Sequence, residues 1–114
     1  MTMIKNLTQH APSQGQDGVS ALDPAAVELL NFGALPSIAE ISARAQALAA
    51  LAVGCDYAMI GGAPYLMPAL CAALIERKIQ PLFAFTERKS VEETQPDGSV
   101  KKSSVFAHAG WVTL

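Results

Sequence analysis

The sequence predicts an α/β fold: a small Rossmann-like sandwich of two or three layers, with a mostly parallel four-stranded sheet and a C-terminal antiparallel β-hairpin. Three observations predict it. The run from Cys55 to Ile60 is, beyond Asp56 at its opening, apolar on both alternating faces, as strands of covered parallel sheets tend to be. Beyond Gly61-Gly62, Met67, Leu70, Cys71, Leu74 and Ile75 fall at i, i+3, i+4, i+7 and i+8, a helical period. In the last third, Pro96-Asp97-Gly98 separates two strand-like runs, and its left-handed glycine suits a three-residue hairpin loop.

The elements follow in order along one domain of 114 residues. Met3 to Leu7 reads as a first strand, and the polar Thr8 to Ser20 as a loop. Asp23-Pro24 starts a short helix, because aspartate caps and proline fits the first turn; the helix runs to Phe32 and closes at Gly33. Ser37-Ile-Ala-Glu40 is a capping box for a second helix, from about Ile38 to Val53. Ile38, Ile41, Ala45, Leu48 and Ala52 form its expected apolar face, and Gly54 ends it. The strand over 55–60 comes next, then a helix from Pro64 or Met67 to Lys78, then a strand over Gln80–Phe85. The hairpin pairs Val91–Gln95 with Ser99–Ser103. A three-residue loop sets Gln95 against Ser99, hence Glu93 against Lys101 and Glu92 against Lys102. Each such pair adds a few tenths of a kcal/mol. The last strand continues through Val105–Ala109 to Trp111 and Val112.

Three strands joined by helical crossovers are parallel, with right-handed connections. Crossovers on opposite faces give the order 2-1-3-4 and a topological switch point between the first and third strands. Crossovers on one face give 1-2-3-4, and the bare face then needs a partner subunit. In the first arrangement the loop at Thr8, Gln9 and His10 sits beside Thr86, Glu87 and Arg88.

Hydrophobic residues make up 51% of the chain and charged residues 16%, an apolar excess that an oligomer could bury. A net charge of −2 supplies no field for nucleic acid. Met1 to His10 lacks the apolar core that secretion needs, and Cys55 and Cys71 are not spaced as Cys-x-x-Cys. A cytoplasmic protein with reduced thiols is expected. Tyr57 to Ile75 carries no charge, but Gly61, Gly62, Pro64 and Pro68 would free backbone groups in lipid, so no membrane span is expected.

Gly61-Gly62 ahead of a helix can cradle an anion on backbone N–H groups, or can simply be a tight strand-to-helix turn. No G-x-G-x-x-G and no Gly-Lys-Ser/Thr is present. His10, at the end of the first strand, is the candidate acid/base group, with Thr8 and Gln9 as ligand-binding neighbours. Arg88 could clamp a phosphate or carboxylate, and Ser90 could add a hydrogen bond; alternatively Glu87–Ser90 begins a solvated hairpin. His108, among Val105, Phe106 and Ala107, reads as a satisfied sheet histidine, and Asp56 as a turn cap. Two histidines so far apart, with no acidic cluster, make no metal site, and no cofactor is indicated. Tyr65 and Trp111 suit core or interface positions, although either could stack a base.

Asn6-Leu-Thr-Gln-His10, Met59-Ile-Gly-Gly-Ala-Pro-Tyr-Leu-Met-Pro68, Ser90-Val-Glu-Glu-Thr94 and Ser104-Val-Phe-Ala-His108 resemble a group of small uncharacterised bacterial proteins. The order of strand, loop and helix also resembles Rossmann-like domains associated with CRISPR systems, including ring nucleases that bind and cut cyclic oligoadenylates. That second resemblance implies a site at Thr8, Gln9, His10, Gly61, Gly62 and Arg88.

Two functions are expected from these readings. The first is binding of a nucleotide or other phosphorylated small molecule at the C-terminal edge of the sheet, with His10 as acid or base if chemistry occurs. The alternative is a non-catalytic interaction module that acts as a homo-oligomer.

Overall fold

The structure, a computed structural model, describes residues 3–113. In chain order it contains β1 (Ile4–Leu7), α1 (Pro24–Leu30), α2 (Ile38–Leu51), β2 (Tyr57–Ile60), α3 (Met67–Glu76), β3 (Gln80–Thr94) and β4 (Val100–Thr113). The four strands form one sheet in the order β1-β2-β3-β4. β1, β2 and β3 are parallel, with Ile4 opposite Tyr57 and Tyr57 opposite Gln80; β4 is antiparallel to β3. The fold is therefore α/β with a mixed, mostly parallel sheet. Because the strand order never reverses, there is no switch point of the kind the order 2-1-3-4 would create.

Two crossovers of one hand that step in the same direction place their helices on the same face. The main core agrees. Ala26 and Leu30 of α1, Ala45, Leu48 and Ala49 of α2, and Leu70, Cys71 and Leu74 of α3 meet Leu7, Ala58 and Ile60 of the strands. Small alanines on the inner sides of α2 and α3 let the helices sit close, and the leucines fill the space between them. Each fully buried leucine contributes about 1.5–3 kcal/mol. The apolar faces are turned slightly from those the spacing predicts. Ile38 is 87% exposed, lying in the first turn beyond the sheet, and Ile75 is also exposed, with Ala73 taking its place in the core.

The opposite face carries Ile4, Met59 and Leu82, with Val19, Tyr57 and Trp111 packed on them. Contrary to the expectation from sequence, the order 1-2-3-4 does not leave this face bare: the segment between Thr8 and Ser20 lies over it. Ile4 N–H donates to Gly18 O (3.0 Å), Ser20 N–H donates to Ile4 O (2.9 Å), and Val19 pairs in parallel with Ile4. Gln16 reaches as far as β4, where its Nε2 lies 3.4 Å from His108 Nδ1. The His108 ring in turn packs 4.6 Å from that of Trp111.

Helix starts follow their capping residues. Asp23 accepts from Ala25 N–H (2.9 Å) and Ser37 accepts from Glu40 N–H (3.1 Å). The second half of the Ser37 capping box is replaced: the Glu40 carboxylate pairs with Arg44 at 2.8 Å instead. Asp23 also accepts from Lys5 Nζ at 2.8 Å, which ties α1 to β1. This hydrogen bond, and then that from Ala25 N–H, hold the Asp23 carboxyl below the usual carboxylate range. A depressed value means that the stabilisation is complete above the unfolded value of about 4 and is lost as pH falls through the folded one. Asp23→Asn keeps an equally good cap. It is expected to cost about 0.5–1 kcal/mol at pH 7 and almost nothing at acid pH, as read by urea denaturation at the two conditions.

The C-terminal third differs most from the sequence reading. The strand at 80–85 and the first hairpin strand are one continuous strand, so Glu87, Arg88, Lys89 and Ser90 belong to a ladder and not to a loop. Alternating hydrogen-bonded pairs run without interruption across that polar stretch. Gln95 N–H donates to Ser99 O (2.7 Å), Gly98 adopts φ 86°, and Glu93–Lys101 and Glu92–Lys102 are paired as the three-residue loop requires. A register shift between Phe85 and Thr86 leaves Ala109 as the extra residue on β4. Beyond it the two strands leave the body as an arm, and the molecule measures 59 × 38 × 24 Å. Both cysteines are free thiols, and burial pushes that of Cys71 up. Among the described residues no helix is long and apolar enough to cross a membrane.

Candidate functional site

The site begins with a buried polar residue in β1. Asn6 is fully buried, between Lys5 and Leu7 and opposite Met59 of β2. Its backbone N–H donates to Ser20 Oγ (2.9 Å) and its side-chain amide donates to the His10 carbonyl (2.9 Å). Its side-chain oxygen accepts from Thr8 N–H (3.0 Å) and from the Thr8 hydroxyl (2.7 Å). The Thr8 hydroxyl also accepts from His10 N–H at 3.2 Å. Asparagine is suited to this because one end of its amide accepts while the other donates. The knot turns the chain sharply after β1 and presents Gln9 and His10 outward, both exposed.

That turn forms one wall of a cavity of about 540 Å³ at the C-terminal edge of the parallel strands. The floor is apolar, made by Met59 and Ile60 of β2 and Phe83 and Ala84 of β3. The rim is polar: Gln9, His10, Ser13, Gln16 and Thr86 supply hydrogen-bonding groups. Gly61 and Gly62 close the side next to β2.

Five of the residues singled out by sequence thus border one space: Thr8, Gln9, His10, Gly61 and Gly62. They do so without a switch point, because β1 and β2 are direct neighbours and end at the same level, Leu7 opposite Ile60. Arg88 and Ser90 are not in this lining. They lie on the arm, opposite Phe106 and Ser104, carried outward by the continuous strand. Two of the five have prior commitments. The Thr8 hydroxyl is engaged within the knot, and Gln9 Nε2 donates to Asn31 Oδ1 (3.1 Å) at the end of α1. Asp56 lies by the far edge of the sheet, with Lys78 and Gln80. Tyr65 packs edge-on against Phe32, 5.3 Å between centroids.

Sequence reasoning passed over Asn6, Gln16 and Arg44. For Asn6 a signal existed: asparagine two residues before threonine, at a strand end, is turn chemistry rather than strand chemistry. Gln16 accepts from Ser13 N–H (2.9 Å) through Oε1 while facing His108, and so fixes the covering loop. Arg44 donates to the carbonyls of Leu29 (3.2 Å) and Asn31 at the end of α1, and its guanidinium lies 4.3 Å over the Phe32 ring. It braces the helix that Gln9 touches.

Chemically, the cavity offers an apolar bed for a flat or aliphatic group and a ring of neutral hydrogen-bonding partners. Among the described residues its lining contains no Lys, Arg, Asp or Glu, and His10 is its imidazole. Among the described residues no cluster of His, Cys, Asp and Glu is arranged to hold a metal ion.

No curated protein and no solved structure matches the chain. A family model described as the uncharacterized protein MJ1673 family matches residues 2–112, which is almost the whole chain. This chain belongs to that family.

Proposed function

We propose that the protein binds a nucleotide or other phosphorylated small molecule in the cavity between the Thr8–Gln16 segment, the end of β2 and the Phe83–Thr86 part of β3. The observation that carries the reading is the joint bordering of one 540 Å³ space by His10, Gln9 and the Gly61-Gly62 turn. That volume suits a small ligand. An apolar floor with an amide and hydroxyl rim suits a base or sugar. The glycine turn leaves backbone accessible to a phosphate. With no lysine or arginine in the lining, a single phosphate fits better than a chain of them, so a nucleoside monophosphate unit is the preferred ligand. His10 stands at the rim as the acid or base for any reaction on it. The resemblance to Rossmann-like ring nucleases adds cyclic oligoadenylate to the candidates.

Thermal unfolding against adenosine, AMP, a cyclic oligoadenylate and inorganic phosphate tests this. A ligand present at a hundred times its Kd stabilises by about 2.7 kcal/mol. AMP is expected to give such a shift, His10→Ala to reduce it, and Arg88→Ala to leave it in place, because Arg88 stands outside the cavity. A flat response across the panel would remove the proposal. The arm favours a second reading, an interaction module that associates with itself, since it carries apolar side chains away from the body.

A further inference from the structure

We infer that the outer edge of β4 pairs with the same edge of a second copy of this chain, antiparallel and about a two-fold axis at Ser104. The inference gives the self-association reading a surface, and it is independent of what the cavity binds.

The sheet has two edges, and they are treated differently. At β1 the edge is occupied: Val19 pairs with Ile4, and Gly18 and Ser20 exchange hydrogen bonds with it. At β4 a fourteen-residue strand, Val100–Thr113, forms the other edge, with β3 on its inner side. The direction of its backbone groups follows from the hairpin. Gln95 and Ser99 are a hydrogen-bonded pair, so hydrogen-bonded and non-bonded pairs alternate from there. Lys101, Ser103, Val105 and Ala107 therefore turn their N–H and C=O groups toward β3. Val100, Lys102, Ser104 and His108 turn theirs outward. A long edge of this kind is a template for another strand unless something blunts it.

Two features of the arm select the occupant. First, a two-stranded ribbon is marginally stable alone, and this one runs for many residues past the last strand that could support it. Adding two more strands would make four. On the face shared with Phe83, the side chains of Phe85 (52% exposed), Val105 (44%) and Val112 (49%) lie beyond the cover of α3. Pairing across Ser104 places Val105 opposite the second copy's Ser103 and extends that apolar strip over both molecules. Second, the charge pattern picks the orientation. Both lysines of β4, Lys101 and Lys102, lie at the arm's tip, and the stretch from Ser103 to Trp111 holds no Lys, Arg, Asp or Glu. Parallel stacking would set lysine against lysine. The antiparallel two-fold arrangement sets Lys101 opposite the second copy's uncharged Ala107. The pairing is isologous, so it closes at two copies rather than growing into a fibre.

Light-scattering mass of the purified full chain, at micromolar concentration, tests the inference. The expected value is twice the chain mass of 12.0 kDa. Ser104→Lys puts like charges on the axis, and Ser104→Pro deletes an outward N–H that the β3 ladder does not use. Both are expected to return the mass to 12.0 kDa while the far-ultraviolet circular dichroism stays that of the parent. A parent chain that measures 12.0 kDa would overturn the pairing whatever the variants do. So would a Ser104→Lys chain that keeps the doubled mass.

Discussion

Asn6→Leu is expected to cost about 2–4 kcal/mol of folding stability, measured as a shift in the urea midpoint. Leucine has a similar branched shape and suits a buried position, so hydrophobicity alone would predict a gain. The loss comes from what surrounds it. Thr8 N–H, the Thr8 hydroxyl and the His10 carbonyl all use the Asn6 amide, and Thr8 is itself buried. A buried donor left without a partner costs about 1–3 kcal/mol, more than an average hydrogen bond contributes. Asn6→Asp separates the two halves of the role: it retains an acceptor for Thr8 N–H, lacks the donor to His10, and introduces a buried charge. It should destabilise as well, and more strongly at neutral pH than in acid, where the carboxyl is protonated. A penalty for Asn6→Leu of under about half a kcal/mol would mean that the turn at Thr8–His10 stands without the knot.

The two glycines of the cavity wall are expected to behave oppositely. Gly62 has φ 142°, a conformation nearly closed to residues with a Cβ, whereas Gly61 has no such constraint. Space does not separate them. An added Cβ at Gly62 would lie 3.4 Å from a Leu30 methyl, and at Gly61 3.7 Å from the Thr8 methyl, both ordinary contacts. Gly62→Ala should therefore cost about 1–3 kcal/mol through backbone strain. Gly61→Ala should stay within about 0.5 kcal/mol of the parent. Equal effects in chemical denaturation would show that the turn relaxes. The pair also separates folding from binding, since Gly61→Ala adds a methyl to the cavity wall in a chain that still folds.

Much of the body was readable because its signals are local. Asp23 and Ser37 cap their helices through hydrogen bonds that span two or three residues, and Pro96-Asp97-Gly98 sets the whole hairpin register. The grouping of His10 with Gly61-Gly62 follows from parallel strands that end at one level. Three things were not readable. The choice between the two strand orders depends on where helices pack, and neither order breaks a local rule. The covering of the open face by the Thr8–Ser20 segment depends on contacts such as Gln16 with His108, ninety-two residues apart. The merging of two predicted strands into one runs through Glu87-Arg88-Lys89-Ser90, which looks like a loop because both its faces meet solvent. That same merging removes Arg88 from the cavity. A strand with no buried face carries no hydrophobic alternation to announce it.

The arm also bears on how mass is measured. The radius of gyration is 17.3 Å, against about 13 Å for a rounded domain of this length. A monomer of this outline tumbles and diffuses like a heavier sphere. On a sizing column calibrated with near-spherical standards it would elute early and pass for an associated species. Copy number for this protein has to come from a method blind to outline, such as scattered intensity or sedimentation equilibrium.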